Sequence, residues 1–390
     1  MKKNILLVLS LVFTLSLLAG CTTKGTSNSL ESDTIKVGVN YELSGSVATY
    51  GQNLAAGVEL AVEEINKNGG VLGKQIELIK VDNKSEDTES ANVATRLVTR
   101  NNVVLLLGAA TSGNTKAASP VAMQNKVPMI SASATADDVT IDSNGKVREY
   151  IFKTCFSDSF QGVMMAEFAL KDLGFKNAAI LGDSTSDYAK GLSTAFKETF
   201  TSQGGTVLAE EAYQAKDTDF RAVLTSLKSK NPDVLFIPGY YEEVGLIVRQ
   251  ARELGLNVPI LGGDGYESPK FTEIAGEGVL NNVYYSSHYS SMDDSAEVVK
   301  FNESFKTKYS KEADAFNALG YDLGYFAKDA IERAGEADTE KIKDAIASTK
   351  DFKGVTGSVT IDENHNPVKS VTIIEMKDGV PTFLKKLDPK

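Results

Sequence analysis

The chain has 390 residues, a net charge of −11 and an ordinary globular composition, with 42% hydrophobic and 24% charged residues. This length exceeds what one hydrophobic core usually serves, so we expect two domains. The acidic balance makes nucleic acid and anionic membrane surfaces poor partners.

The N-terminus resembles an export signal. Two lysines precede an apolar run at residues 5–19, which is short for a membrane span and typical of a secretory signal that is removed. The run ends in Leu-Ala-Gly-Cys at Cys21, which resembles the bacterial lipobox; an ordinary signal with a chance cysteine is the alternative. We predict a signal peptide over residues 1–20, a lipid on Cys21 that anchors the protein to the membrane, and a flexible tether over residues 21–34.

From residue 35 onward, short apolar runs alternate with helix-period segments, which predicts parallel βαβ units and an α/β fold. The pattern restarts after residues 150–156, so we expect two doubly wound parallel-sheet lobes. The predicted strands are 35–39, 75–81, 103–107, 127–131, 178–181, 206–212, 234–238 and 259–261. The predicted helices before residue 260 are 51–68, 88–101, 114–125, 161–173, 190–203, 219–230 and 242–254.

The sequence of the C-terminal third predicts more helices than are needed to cover the second lobe. The segments are helices 296–309, 314–334 and 339–348, followed by strands 357–361 and 368–376. We therefore expect the chain to cross back to the first lobe near residues 284–288 and to return at the end, which makes a multi-strand hinge. The predicted lobes are 35–153 plus 286–360 and 154–285 plus 361–390.

Hydroxyls and tyrosines are frequent at the predicted carboxyl ends of strands, where open parallel sheets bind ligands. Residues 108–115 and 131–135 form small, hydroxyl-rich turns, whose amides suit an anion such as a carboxylate; simple helix caps are the alternative. In the second lobe, Asp264 lies between glycines and suits an ammonium, with a turn residue as the alternative. These residue types together describe a zwitterionic α-amino acid.

Catalytic and cofactor signatures do not occur in the sequence. His288 and His365 lie in the predicted crossover and in a turn, so we assign them surface or hinge roles. Residues 69–75 have the wrong spacing for a phosphate loop, and no dinucleotide fingerprint follows a strand. We expect no cofactor, no metal and no enzymatic activity.

Motifs along nearly the whole mature chain resemble the substrate-binding lipoproteins of branched-chain amino-acid ABC transporters, which are type I periplasmic binding proteins. These motifs are residues 37–39, 43–45, 50–51, 57–66, 68–73, 108–115, 131–135, 188–191 and 239–240. The resemblance implies a monomeric receptor for leucine, isoleucine or valine, at the outer face of the cytoplasmic membrane or in the periplasm. Its partners would be an ABC permease and the ATPase subunits.

The resemblance also implies the binding residues. Ser112 and Thr135 would bind the carboxylate and amino groups through hydroxyls, Ser133 would contribute backbone atoms, and Asp264 would pair with the ammonium. The aromatic positions around the ligand would be Tyr50, Tyr188, Tyr240 and Tyr321. The family's acidic residue is commonly a glutamate, so Asp264 is one methylene shorter.

Three alternatives remain open at this point. The same fold could bind another amino acid, an amide, urea or an aromatic acid, or it could serve as a sensing subunit. An exported lipoprotein enzyme that uses Asp183, Asp187 or Asp264 as acid and base is the third, and it would convert its ligand.

Overall fold

The computed structural model describes residues 34–387. The predicted signal peptide, Cys21 and nearly all of the tether lie outside the described residues. Within residues 34–387, no helix is both long enough and apolar enough to cross a bilayer.

Strands and helices alternate along most of the described chain. The strands are β1 (Thr34–Tyr41), β2 (Gln75–Asp82), β3 (Leu105–Gly108), β4 (Met129–Ser131), β5 (Ile151–Lys153), β6 (Asn177–Asp183), β7 (Thr206–Tyr213), β8 (Val234–Phe236), β9 (Ile260–Gly262), β10 (Val283–Ser287), β11 (Phe352–Gly354), β12 (Gly357–Val359), β13 (Val371–Lys377) and β14 (Val380–Leu387). The helices are α1 (Ala48–Lys67), α2 (Asp87–Thr99), α3 (Ser112–Asn125), α4 (Asp158–Glu167), α5 (Asp187–Ser202), α6 (Arg221–Ser229), α7 (Tyr241–Glu253), α8 (Pro269–Ala275), α9 (Ala296–Tyr309), α10 (Ala315–Ala334) and α11 (Thr339–Ala347).

The first sheet is fully parallel, with the strand order β2-β1-β3-β4-β5. The strand order reverses beside β1, which is the doubly wound arrangement predicted from the sequence. We call this sheet and the helices α1–α3 and α9–α11 the first lobe.

Two glycines allow α1 and α10 to pack closely in the first lobe. A Cβ on Gly57 would lie 2.1 Å from the carbonyl oxygen of Asn317, and a Cβ on Gly320 would lie 2.1 Å from that of Leu54. Any larger side chain would separate the helices. This contact fixes the N-terminus of α10, and therefore Phe316, beside Tyr50.

The second sheet is mixed, with the strand order β14-β13-β10-β9-β8-β6-β7. Strands β6 to β10 run parallel, but β13 is antiparallel to β10 and β14 is antiparallel to β13. The sequence predicted only parallel pairing here. Asp378 and Gly379, both at positive φ, join β13 to β14, and such a two-residue turn connects only antiparallel strands. This sheet and helices α4–α8 are the second lobe.

The chain passes between the lobes three times, at residues 154–157, 288–295 and 360–370. Ser286 and Ser287 still pair within β10 of the second sheet. The sequence analysis missed α8, β11 and β14, and it read β5 only as part of the stretch between the two lobes and β10 only as a crossover. The boundaries assigned to the lobes from the sequence remain a prediction.

Candidate functional site

A narrow cavity lies at the carboxyl ends of strands from both sheets. Seven of the eight residues that the family resemblance implied as ligand contacts line it: Tyr50, Ser112, Ser133, Thr135, Tyr188, Tyr240 and Asp264. The other lining residues are Ala110, Thr111, Gly265 and Phe316.

Tyr321 does not lie at this cavity. Its hydroxyl donates to Glu64 Oε2 at 2.7 Å, and its ring packs against Phe301 and Tyr325 within the first lobe. Phe316, earlier on the same helix, takes part in the cavity instead. The sequence offered a signal for it, because Phe316 directly follows the start of α10, at the cleft end of that helix.

Aromatic rings from the two lobes form the apolar wall of the cavity. Tyr50 and Phe316 stack with ring centroids 4.4 Å apart, and Tyr188 and Tyr240 stack at 5.2 Å. The two stacked pairs contact each other edge to face, with the ring centroids of Tyr50 and Tyr240 5.8 Å apart. Such a wall favours an apolar ligand group.

Tyr50 also connects the lobes through hydrogen bonds. Its hydroxyl donates to the carbonyl of Gly265 at 2.5 Å and accepts from the backbone N–H of Tyr241 at 3.3 Å. Burial raises the pKa of Tyr50 well above its usual value, so the phenol keeps the proton that it donates. These bonds require the two lobes to be closed over the cavity.

The two hydroxyl-rich turns of the first lobe lie side by side. Ser133 Oγ donates to the carbonyl of Ala110 at 2.7 Å, and Ser112 Oγ accepts from the backbone N–H of Ala136 at 3.1 Å. Each turn therefore positions the other, and both present hydroxyl side chains at the cavity.

Glu42, which the sequence reading missed, already occupies part of the predicted anion site. Its buried carboxylate accepts from the backbone N–H groups of Ala110 and Thr111 at 2.9 and 3.0 Å, and from Thr111 Oγ1 and Asn114 Nδ2 at 3.0 and 2.8 Å. These donors are satisfied within the protein, which corrects the expectation that they receive a ligand. A charged residue directly after a buried strand was the available signal.

Asp264 brings a carboxyl group to the second-lobe side of the cavity. Its Oδ1 accepts from Gln161 Nε2 at 3.1 Å, and its Oδ2 lies 3.1 Å from His288 Nε2. Burial lowers the pKa of His288 below its ordinary value, which favours the neutral ring at neutral pH. Neither of these partners therefore supplies a full positive charge, so the position suits a cationic group of a ligand.

The remaining aspartates of the enzyme alternative lie elsewhere. Asp183 Oδ1 accepts from the backbone and hydroxyl of Thr185, and Asp187 forms an ion pair with Lys116 at 2.7 Å. The structure does not bring them into the cavity with Asp264.

The comparisons with known proteins agree on one family. The sequence profile described as periplasmic binding protein matches residues 34–380. The Leu/Ile/Val-binding protein BraC3 of Rhizobium johnstonii is 34% identical over 334 residues, which cover 84% of this chain and 88% of that protein.

Two solved structures share the fold closely. The leucine-binding protein LivK of Thermotoga maritima is 38% identical with a TM-score of 0.86, over 91% of this chain and 99% of its own. The branched-chain amino-acid transporter substrate-binding protein LivJ of Streptococcus pneumoniae, solved in complex with isoleucine, is 41% identical with a TM-score of 0.86, over 91% and 100%.

Proposed function

The chain belongs to the periplasmic binding protein family, and on that premise we propose that it is the extracytoplasmic receptor of an ABC importer for leucine, isoleucine and valine. One observation carries this proposal. The enclosed cavity has a carboxylate on one lobe, hydroxyls on the other and aromatic walls, which together complement a zwitterion with an apolar side chain. The similar proteins are named for binding leucine, isoleucine and valine, which supports the same ligand class.

Each part of the ligand has a proposed partner. Asp264 takes the ammonium, the hydroxyls of Ser112 and Thr135 and the backbone of Ser133 take the polar head group, and the aromatic wall takes the side chain. Because these residues belong to different lobes, the ligand binds the closed form better than the open one. That difference in affinity is what shifts the population toward closure.

The three crossing segments are the proposed hinge between the two lobes, and the closed form is what the permease recognises. We also propose removal of the signal peptide, lipid attachment at Cys21 and a monomeric receptor that performs no chemistry. Replacing Cys21 with alanine is expected to release the protein from the membrane, as fractionation of cells would measure. Continued membrane retention would contradict the lipid anchor.

Calorimetric titration tests the ligand class. The Cys21→Ala protein, freed of copurified ligand, is titrated with each proteinogenic amino acid, and bound material is recovered for mass spectrometry. We expect tight binding of leucine, isoleucine and valine and recovery of the intact ligand. Binding of a different amino acid would change the proposed specificity. If none of the amino acids binds, the protein is not an amino-acid receptor, and recovery of a chemically converted ligand would indicate an enzyme.

A further inference from the structure

A buried glutamine, Gln161, forms hydrogen bonds with the carboxylate and the backbone of Asp264. Gln161 is fully buried, and its Nε2 donates to Asp264 Oδ1 at 3.1 Å and to Asp158 Oδ1 at 3.0 Å. Its Oε1 accepts from Ser286 Oγ at 2.6 Å and from the backbone N–H of Asp264 at 3.3 Å. The Gln161 amide thus holds one oxygen of the Asp264 carboxylate.

His288 holds the other oxygen. Its ring lies in the crossing segment after β10 and stacks on Phe156, with centroids 3.6 Å apart and planes 18° apart. Nε2 lies 3.1 Å from Asp264 Oδ2, and a carboxylate oxygen only accepts, so the proton of the neutral ring belongs on Nε2. Nδ1 has no hydrogen-bond partner among the described residues. The polar contact of this buried ring is therefore with Asp264.

Three other titratable groups, Asp158, Cys155 and Lys369, lie around the His288–Asp264 pair. Burial and Asp264 raise the pKa of Asp158 well above its usual value, so Asp158 keeps its proton. Burial raises the pKa of the Cys155 thiol to about 12, and it lowers the pKa of Lys369 to about 8. Burial and the positive charge of Lys369 lower the pKa of His288, while Asp264 opposes this shift.

We propose that His288 is a positioning residue of the ammonium site. The neutral His288 ring orients Asp264 by donating a hydrogen bond to it, and protonation of His288 weakens ligand binding. The inference rests on the proposed amino-acid receptor function and deepens it. The positive charge of a protonated His288 ring at this distance would offset the negative charge of Asp264 and repel the ligand's ammonium. By linkage, a ligand ammonium disfavours protonation of His288, so acid weakens binding.

Two matched substitutions separate the donor from the ring. His288→Gln retains an N–H donor of similar reach, whereas His288→Phe retains the stack on Phe156 but leaves Asp264 Oδ2 without that donor. At about pH 8 we expect His288→Gln to bind isoleucine nearly as the parent protein does and His288→Phe to bind at least about tenfold more weakly. Equal affinity of the parent and His288→Phe would overturn the proposal.

The pH profile supplies a readout that a purely structural role would not change. Titration from about pH 8 to about pH 5 should show an acid-induced fall in the parent's affinity, which begins below the ordinary histidine pKa of about 6.5. In His288→Gln the affinity should decrease less over the same pH range, because the contribution from His288 protonation is absent. A profile that is identical in the parent and His288→Gln would refute proton-linked weakening.

Nuclear magnetic resonance tests the contact without any ligand. The chain has two histidines, so His365→Gln leaves His288 as the single imidazole to titrate. Asp264→Asn should then move the His288 titration to lower pH, because the carboxylate raises its pKa. An unmoved titration would refute the contact whatever the ligand is. Failure of the parent to bind leucine, isoleucine or valine would refute the proposed function, while this titration would still decide the Asp264–His288 contact.

Discussion

Replacing Tyr50 with phenylalanine removes one oxygen from the boundary between the lobes. The lost hydroxyl bonds the carbonyl of Gly265 and the backbone N–H of Tyr241, both in the second lobe. The ring keeps its stack on Phe316, so the apolar wall stays in place. Only bonds that exist in the closed form are lost.

The expected size of the effect follows from those two bonds. Each neutral hydrogen bond contributes about 0.5–1.5 kcal/mol net, so the closed form loses about 1–3 kcal/mol. This corresponds to ligand binding that is about 5- to 150-fold weaker. In the open form both partner groups bond to water, so the thermal stability of the ligand-free protein should change little.

Calorimetric titration and ligand-free thermal unfolding together measure both effects. Tyr321→Phe is the matched control, because it removes a hydroxyl that bonds Glu64 within the first lobe, away from the cavity. We expect Tyr321→Phe to leave the dissociation constant unchanged. A dissociation constant for Tyr50→Phe within about twofold of the parent would refute the interlobe role, and weakened binding in Tyr321→Phe would return Tyr321 to the site.

Three further predictions concern buried carboxyl groups. Asp264→Ala should weaken amino-acid binding by about 3–5 kcal/mol, because the ligand's ammonium is left buried without a counter-charge; an unchanged dissociation constant would remove Asp264 from the site. Glu42→Gln should lower the free energy of unfolding by about 1–3 kcal/mol, because an amide N–H₂ replaces an oxygen that accepts from the turn; urea unfolding measures this, and unaltered stability would contradict the role of Glu42. Burial and Asp314 raise the pKa of Glu267 to about 7, so its contribution to stability is present below about pH 4.5 and is lost as the pH rises through 7. Glu267→Gln should therefore stabilise the protein by about 3 kcal/mol above pH 7 and by almost nothing near pH 4.5, and thermal unfolding that shows the same gain at both pH values would reject this sign.

The sequence alone determined the class of fold and most of the cavity lining. Helices and strands followed from local hydrophobic period, and α9, for example, has the bounds predicted from the sequence. The turns at residues 108–115 and 131–135 and Asp264 were predictable as neighbours because each follows a strand, and the carboxyl ends of parallel strands meet at one edge of a sheet. The resemblance to the family, rather than spacing along the chain, singled out Ser112 and Thr135 within those turns.

The tertiary structure alone decided which groups the cavity residues contact. Glu42 meets the turn at Ala110, and His288 meets Asp264, because packing brings together segments that no local pattern relates. Phe316 and Tyr321 both contact α1, but Phe316 stacks on Tyr50 at the cleft end of that helix, whereas Tyr321 bonds Glu64 further along it. The position of each residue along the packed helix pair therefore decides which one reaches the cavity, and both are equally aromatic in the sequence. Hydrophobic period reports which residues are buried, whereas the partner of a buried polar group is set by contacts between distant segments, which form only when the chain folds.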